Sequence, residues 1–257
     1  MEAQPTMLVD THAHLCDPVF DADRREVLRR ASVAGVGAVI LVSEDLPDAQ
    51  RNMQLALSHS MLKPAAGLYP AILDPAQAED LHLFIRQVSD HLVAIGEVGL
   101  DHWVVKEEKQ KALQKQIFKG FIELAGELDL PLNVHSRSAG RHAVALLLDS
   151  GATRVQLHAF DGKFTAALPA VEAGYFFSIP PSVVRSRQKQ KLVKNLPLSC
   201  LLVETDSPVL GPTPDERNEP ANVRISINTI AEIKGVHEAE VIEAVTENTR
   251  KLYGNLV

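Results

Sequence analysis

The sequence predicts an α/β fold, a (β/α)8 TIM barrel with extra C-terminal helices, and three observations carry that expectation. Eight short apolar runs rich in β-branched residues recur along the chain, at residues 7–15, 37–43, 63–70, 92–101, 131–136, 154–160, 174–180 and 200–206. They are mostly apolar on both faces, as strands of a parallel sheet covered on two sides must be. Helical patterns separate them, and two more helices, near 221–235 and 238–251, follow the last run. An open doubly wound sheet is the structural alternative, but it usually carries a glycine-rich phosphate loop after its first strand. Here that strand runs into His12-Ala13-His14-Leu15 instead. A length of 257 residues is ordinary for one barrel. With no linker or low-complexity tract, residues 1–257 read as a single domain.

Taken in order, the strands end on residues that metals favour. The first ends on Asp10-Thr11-His12-Ala13-His14. Side chains two apart on a strand share a face, so His12 and His14 point inward together. Asp10 is expected on the same face, orienting one imidazole. A helix near 21–34 leads to the second strand, and one near 48–60 to the third, which ends on Gly67-Leu68-Tyr69-Pro70. After a helix near 77–90, the fourth strand reaches Glu97. A carboxylate buried there is costly unless it is paired or metal-bound. It either pairs with a Lys or Arg at the barrel mouth or bridges cations with its two oxygens. Asp101 is expected to support the site from behind; His102, which follows it at the barrel mouth, either lines the pocket or plays no part in it.

The helix over 107–128 carries Leu113, Ile117, Phe121 and Leu124 at helical spacing. The fifth strand ends on His135 and, after a helix over 138–149, the sixth ends on His158. One such histidine alone fits a hydrogen-bonded core residue; two on consecutive strand ends favour ligands. A helix over 163–172 leads to the seventh strand, and one over 184–195 follows it. The latter carries the basic run from Arg185 to Lys191, either a solvated face or a contact for a polyanion. The eighth strand ends on Glu204-Thr205-Asp206, with Asp206 nearer the mouth and therefore the better ligand and general-base candidate. The loop over 211–220 then lies on the face where barrel enzymes place catalysis.

Four histidines, one glutamate and one aspartate from strands far apart make a mixed N/O donor set suited to Mg, Mn, Co or Zn. No cysteine joins them, which argues against a structural zinc. Two cations sharing a carboxylate can activate water and clamp the oxygens of an in-line displacement. Only two cysteines, Cys16 and Cys200, exclude a disulfide framework and fit a reducing compartment. No basic n-region or long apolar stretch precedes the first strand, so no targeting segment is expected. No run is long enough to cross a membrane. An intracellular location, cytoplasmic or nuclear, follows as the expectation, with the chain as a monomer. The net charge of −7 argues against tight non-specific duplex binding, though not against a nuclease whose metals supply the positive charge.

With these residues in place, the chain resembles the TatD family of metal-dependent deoxyribonucleases, within the amidohydrolase-like superfamily, over nearly its whole length. The most specific segments are Val9 to Leu15, Ala94 to Asp101, Leu130 to Arg141, Leu157 to Gly162 and Leu202 to Pro208. The resemblance implies that His12, His14, Glu97 and Asp206 hold one metal, while Glu97, His135 and His158 hold the other, with Glu97 shared. It implies a DNA substrate, single-stranded or at an end, and a loop at Arg217-Asn218-Glu219-Pro220 that closes over it. Asp206 and Glu97 are the catalytic candidates; Tyr69, Arg137, Arg141, Arg217 and Asn218 are the substrate-binding ones. The chain departs from the family at Tyr69, where a histidine directed at the phosphate is usual. Tyrosine can donate a hydrogen bond but brings no positive charge near neutral pH. Two other readings use the same site: a hydrolase of small lactones, amides or phosphoesters, and a metal-bound barrel that binds a partner without catalysis.

Overall fold

A computed structural model describes residues 7–257. The expectation of no targeting segment in residues 1–6 lies outside the described residues. Eight parallel strands, β1 (Leu8–Ala13), β2 (Val36–Leu41), β3 (Leu62–Ala66), β4 (Ala94–Gly99), β5 (Leu132–His135), β6 (Val155–Leu157), β7 (Phe176–Ile179) and β8 (Leu201–Val203), pair in sequence order. The ring closes between β8 and β1 through the Asp206 N–H donating to His12 O at 2.8 Å and the His14 N–H donating to Ser207 O at 2.8 Å. The result is the TIM barrel that the strand–helix alternation predicts.

Helices α1 (Arg24–Val33), α2 (Leu46–Ser58), α3 (Pro75–Val88), α4 (Glu108–Leu128), α5 (Gly140–Asp149), α6 (Phe164–Glu172) and α7 (Arg187–Asn195) each follow one strand. Their starts are set locally. The Asp74 side chain accepts from Ala76 N and Gln77 N with Pro75 opening α3, and Asp45 accepts from Asp48 N at the start of α2. Between helices and sheet lies a continuous apolar layer that includes the fully buried Phe20, Phe118, Phe121, Phe160 and Phe177. No helix among the described residues is long and apolar enough to cross a membrane.

A second apolar cluster fills the barrel's lower interior. Val9, Ala38, Ile40, Val42, Ala65, Ala94 and Leu202 meet Leu252, Tyr253 and Leu256 from the end of α9 (Glu238–Tyr253) and the residues after it. The two helices after β8, α8 (Val223–Lys234) and α9, therefore have different jobs. The first covers the barrel wall with Val223, Ile227 and Ile230; the second plugs its floor. Above the plug, the Tyr253 hydroxyl donates to Gln156 Oε1 at 2.6 Å and accepts from Asn133 Nδ2 at 3.4 Å. Tyr253→Phe removes the donor and leaves a buried amide oxygen unpaired. It should destabilise the barrel by about 1–3 kcal/mol, read as a lower urea midpoint at unchanged slope.

Candidate metal centre

All six residues that the strand ends nominate converge at the C-terminal rim. His12 is fully buried, with its Nε2 3.3 Å from His14 Nε2. Asp206 Oδ1 lies 3.5 Å from His12 Nε2 and 3.4 Å from His14 Nε2. Glu97 divides its oxygens: Oε1 stands 3.7 Å from His14 Nε2, whereas Oε2 stands 3.1 Å from His135 Nδ1 and 3.4 Å from His158 Nε2. Two donor groups, His12/His14/Glu97 and Glu97/His135/His158, each keep their ligand atoms within 4.8 Å of one another and share Glu97. A third, His12/His158/Glu204, lies beneath them.

The donor chemistry fits cations. Among the described residues, Glu97 and Asp206 pair with histidines and with no lysine or arginine. Imidazole nitrogens face one another twice at contact distance, His12 to His14 and His135 Nδ1 to His158 Nε2 at 3.2 Å. Such pairs need a shared proton or a cation between them. The buried clusters suit metal binding.

Neighbouring side chains hold these donors in place. Asn133 Oδ1 accepts from His12 Nδ1 at 2.8 Å, while its Nδ2 donates to Thr11 O at 2.9 Å, leaving His12 Nε2 for the site. Asp101 Oδ2 takes His135 Nε2 at 3.0 Å and the Tyr69 hydroxyl at 3.1 Å. Glu204, buried below His158, accepts from Ser178 Oγ at 2.6 Å and Ala159 N at 2.8 Å. Its Oε2 stands 3.7 Å from His158 Nδ1, an ion-pair separation rather than a hydrogen bond. The expectation that Asp10 orients an imidazole is not met. Its carboxylate accepts from Thr205 N at 2.8 Å and Thr205 Oγ1 at 2.5 Å, tying β1 to the end of β8. The cause is a break in the alternation: β1 shifts register against β2 between Asp10 and Ala13, as at a β-bulge. Close approach of strands also matters. A Cβ on Gly67 would stand 2.4 Å from the Glu97 carbonyl oxygen, so only glycine lets β3 run against β4 there. Asp206 itself takes a left-handed φ of 56°, a conformation of the kind found where a side chain is re-aimed at a functional site.

Electrostatics distinguishes four of the six. Burial pushes His12 down to about 3, helped by the neighbouring His158, so it stays neutral. Burial also opposes charge on His14, but its hydrogen bond to Asp206 and the nearby Glu97 win and raise it to about 9. For His158 burial is likewise outweighed, by Glu204 and Glu97, which raise it to about 10. Burial would raise Glu97, yet bonds from His135 and His158 hold it well below the carboxylate range.

A cavity of about 430 Å³ opens above the cluster. Tyr69 and Arg137 line it together with His14, Glu97, His135, His158 and Asp206. Tyr69 spends its hydroxyl on Asp101, however, so in this arrangement it steadies His135. Arg141, Arg217 and Asn218 do not line the cavity. Arg141 is exposed on α5, and Arg217 pairs with Asp23 at 2.5 Å and lies over the Phe20 ring at 4.8 Å. Asn218 is buried and donates to Thr205 O and Val209 O at 2.7 and 2.8 Å, so the Arg217–Pro220 loop anchors the strand-eight turn. His102 turns away into a neighbouring cavity beside His142. Three charged lining residues went unnominated as individuals: Glu44 beyond β2, Asp161 after His158, and Lys189 within the basic run on α7. Lys189 donates to Ala159 O at 2.9 Å, and burial lowers its pKa. Lys189 had a sequence signal as one of several cations in that run, and Asp161 as part of the Leu157–Gly162 segment; Glu44 had none.

Comparison with known proteins bears on the whole chain. The family profile described as TatD related DNase matches residues 9–254. This chain belongs to that family. It is 46% identical to a human protein named deoxyribonuclease TATDN3, covering 100% of this chain and 98% of the relative. It is 35% identical to a Bacillus subtilis metal-dependent hydrolase, YabD, over 96% of this chain and 99% of that one. The crystal structure of the TatD homologue YJJV from Escherichia coli superposes with a TM-score of 0.88 at 28% identity, covering 96% of this chain and 98% of the other. As a TatD protein the chain is a metal-dependent hydrolase.

Two measurements probe this TatD centre. Asn133→Leu keeps the shape but frees His12 to rotate, and metal affinity should fall about 10- to 100-fold, read by competition with a chelating dye. The second is proton release. His14 and His158 titrate in the metal-free site near 9 and 10, so at neutral pH both carry protons that a metal must displace. Affinity should therefore weaken as pH falls below about 9, by about tenfold per pH unit for each proton displaced. Calorimetry in two buffers of different ionisation heat would count those protons.

Proposed function

We propose that this chain is a deoxyribonuclease that hydrolyses phosphodiester bonds with two divalent cations, Mg, Mn or Zn, held at the barrel rim. His12, His14, Glu97 and Asp206 would hold one cation, and Glu97, His135 and His158 the other. The single observation that carries the reading is the split of Glu97, one oxygen facing His14 and the other facing His135 and His158. The 46% identity to a human deoxyribonuclease supports DNA as the substrate. Cations in such a pair act as Lewis acids, acidifying water and offsetting the charge that grows on phosphate oxygens.

The protein's own groups then divide the work. Asp206 stands at the cavity wall beside His12 and His14 and takes the proton of the attacking water. Arg137 and Lys189, the two cationic side chains among the described lining residues, hold the phosphate oxygens. Tyr69 keeps Asp101, and through it His135, in a fixed orientation. Asn133 does the same for His12 from below.

Asp206→Asn should lower turnover of single-stranded DNA by about 10²- to 10⁴-fold while the far-UV spectrum and the urea midpoint stay at wild-type values. Wild-type rates in that variant would overturn the assignment. Cleavage of small esters without cleavage of DNA by the wild-type protein would replace phosphodiesters with esters as the substrate class.

A further inference from the structure

The chain has one tryptophan, Trp103, and it stands out of the barrel rather than in its core. Its surface is 58% exposed, on the loop between β4 and α4. The loop is nevertheless fixed. Backbone N–H groups of Trp103 and Val104 both donate to Asp101 Oδ1 at 2.8 Å, while the other oxygen of that carboxylate holds His135. The His102 N–H donates to Arg137 O at 2.9 Å, pinning the loop to the end of β5. The indole is thus mounted on the same carboxylate that orients a ligand histidine.

Two cations attend it. The Arg137 guanidinium and the Lys106 ammonium each lie 5.1 Å from the ring centroid. Neither makes an ion pair with a described carboxylate. Arg137 also lines the catalytic cavity, so it joins the indole to the place where a phosphate would react. Lys106 Nζ also donates to His102 O at 3.0 Å. A rigid, exposed ring flanked by cations without carboxylate partners has the parts of a single-strand binding platform: a π-face for a base and positive charge for the backbone. A base already stacked in a duplex cannot use such a face without first leaving its partner.

We propose that Trp103 is the platform on which an unpaired nucleobase next to the scissile phosphate stacks, with Arg137 and Lys106 moving off the ring to meet the flanking phosphates. The inference rests on the phosphodiesterase reading and deepens it, because it makes unpaired strands the preferred substrate through a residue outside the metal cluster. On this account Trp103 positions substrate and takes no part in bond breaking.

The test compares wild type, Trp103→Ala and Trp103→Phe, all metal-loaded, on a single-stranded oligonucleotide, a blunt duplex and an abasic oligomer of tetrahydrofuran phosphate. Trp103→Ala should reduce kcat/KM on the single strand about 5- to 100-fold, chiefly through KM, and should erase the preference over duplex. Trp103→Phe should restore most of the loss. Rates on the abasic oligomer, which has phosphodiesters but no base to stack, should stay within about twofold in both variants. A second arm reads the indole directly: its fluorescence should quench saturably on titration with a thymidine oligonucleotide and stay unchanged with inorganic polyphosphate. Unchanged oligonucleotide kinetics in Trp103→Ala, or equal quenching by polyphosphate, would overturn the proposal. If the wild type cleaves none of the three substrates, the phosphodiesterase reading fails, and the fluorescence arm alone decides whether Trp103 binds a base.

Discussion

Everything at this barrel's mouth follows from burying one carboxylate. Glu97 lies at the end of an otherwise apolar strand, with almost no exposure, where a lone charge would be severely destabilising. It is balanced by imidazoles on both sides rather than by a lysine or arginine. Imidazoles are partners that a cation can take over, because each gives up a proton to become a ligand. A salt bridge to arginine would have closed the position permanently. The choice of partner makes the site a place for metals instead of a structural pair.

That balance has to be held rigid, and the holding residues come from below and behind. Asn133 fixes His12, Asp101 with Tyr69 fixes His135, and Glu204 underlies His158. Asn133, Asp101 and Glu204 are polar and buried, and they are satisfied largely by backbone groups and hydroxyls. The rim therefore sits on a polar layer, and below that layer the interior is apolar down to the plug.

The strands and the six donors were legible because their signal is local. A run of β-branched residues ending in His or Glu is visible in a few letters; six observed strands fall inside the expected runs, and β2 and β3 each begin one residue earlier. The supporting residues were less so. Asn133 looks like any polar interruption of a strand, and only the fold brings it under His12, 121 residues away. Asp10 misled for a related reason: alternation puts it beside His12, but a register shift turns it toward Thr205. Arg217 and Asn218 carry the family's letters, yet their donors are consumed by Asp23 and by backbone carbonyls, which no spacing rule reveals. Tyr69 was visible as a departure from the family; its partner, Asp101, was not visible as the reason a tyrosine fits.

The contact between Tyr253 and Asn133 ties the last helix to the first ligand. His12 lies on β1, but the amide that aims it is itself braced by the hydroxyl of Tyr253, at the end of α9. Without α9 the amide that holds His12 would lose that brace. Aiming the first ligand is in consequence a long-range property of the fold, shared between β1, β5 and α9.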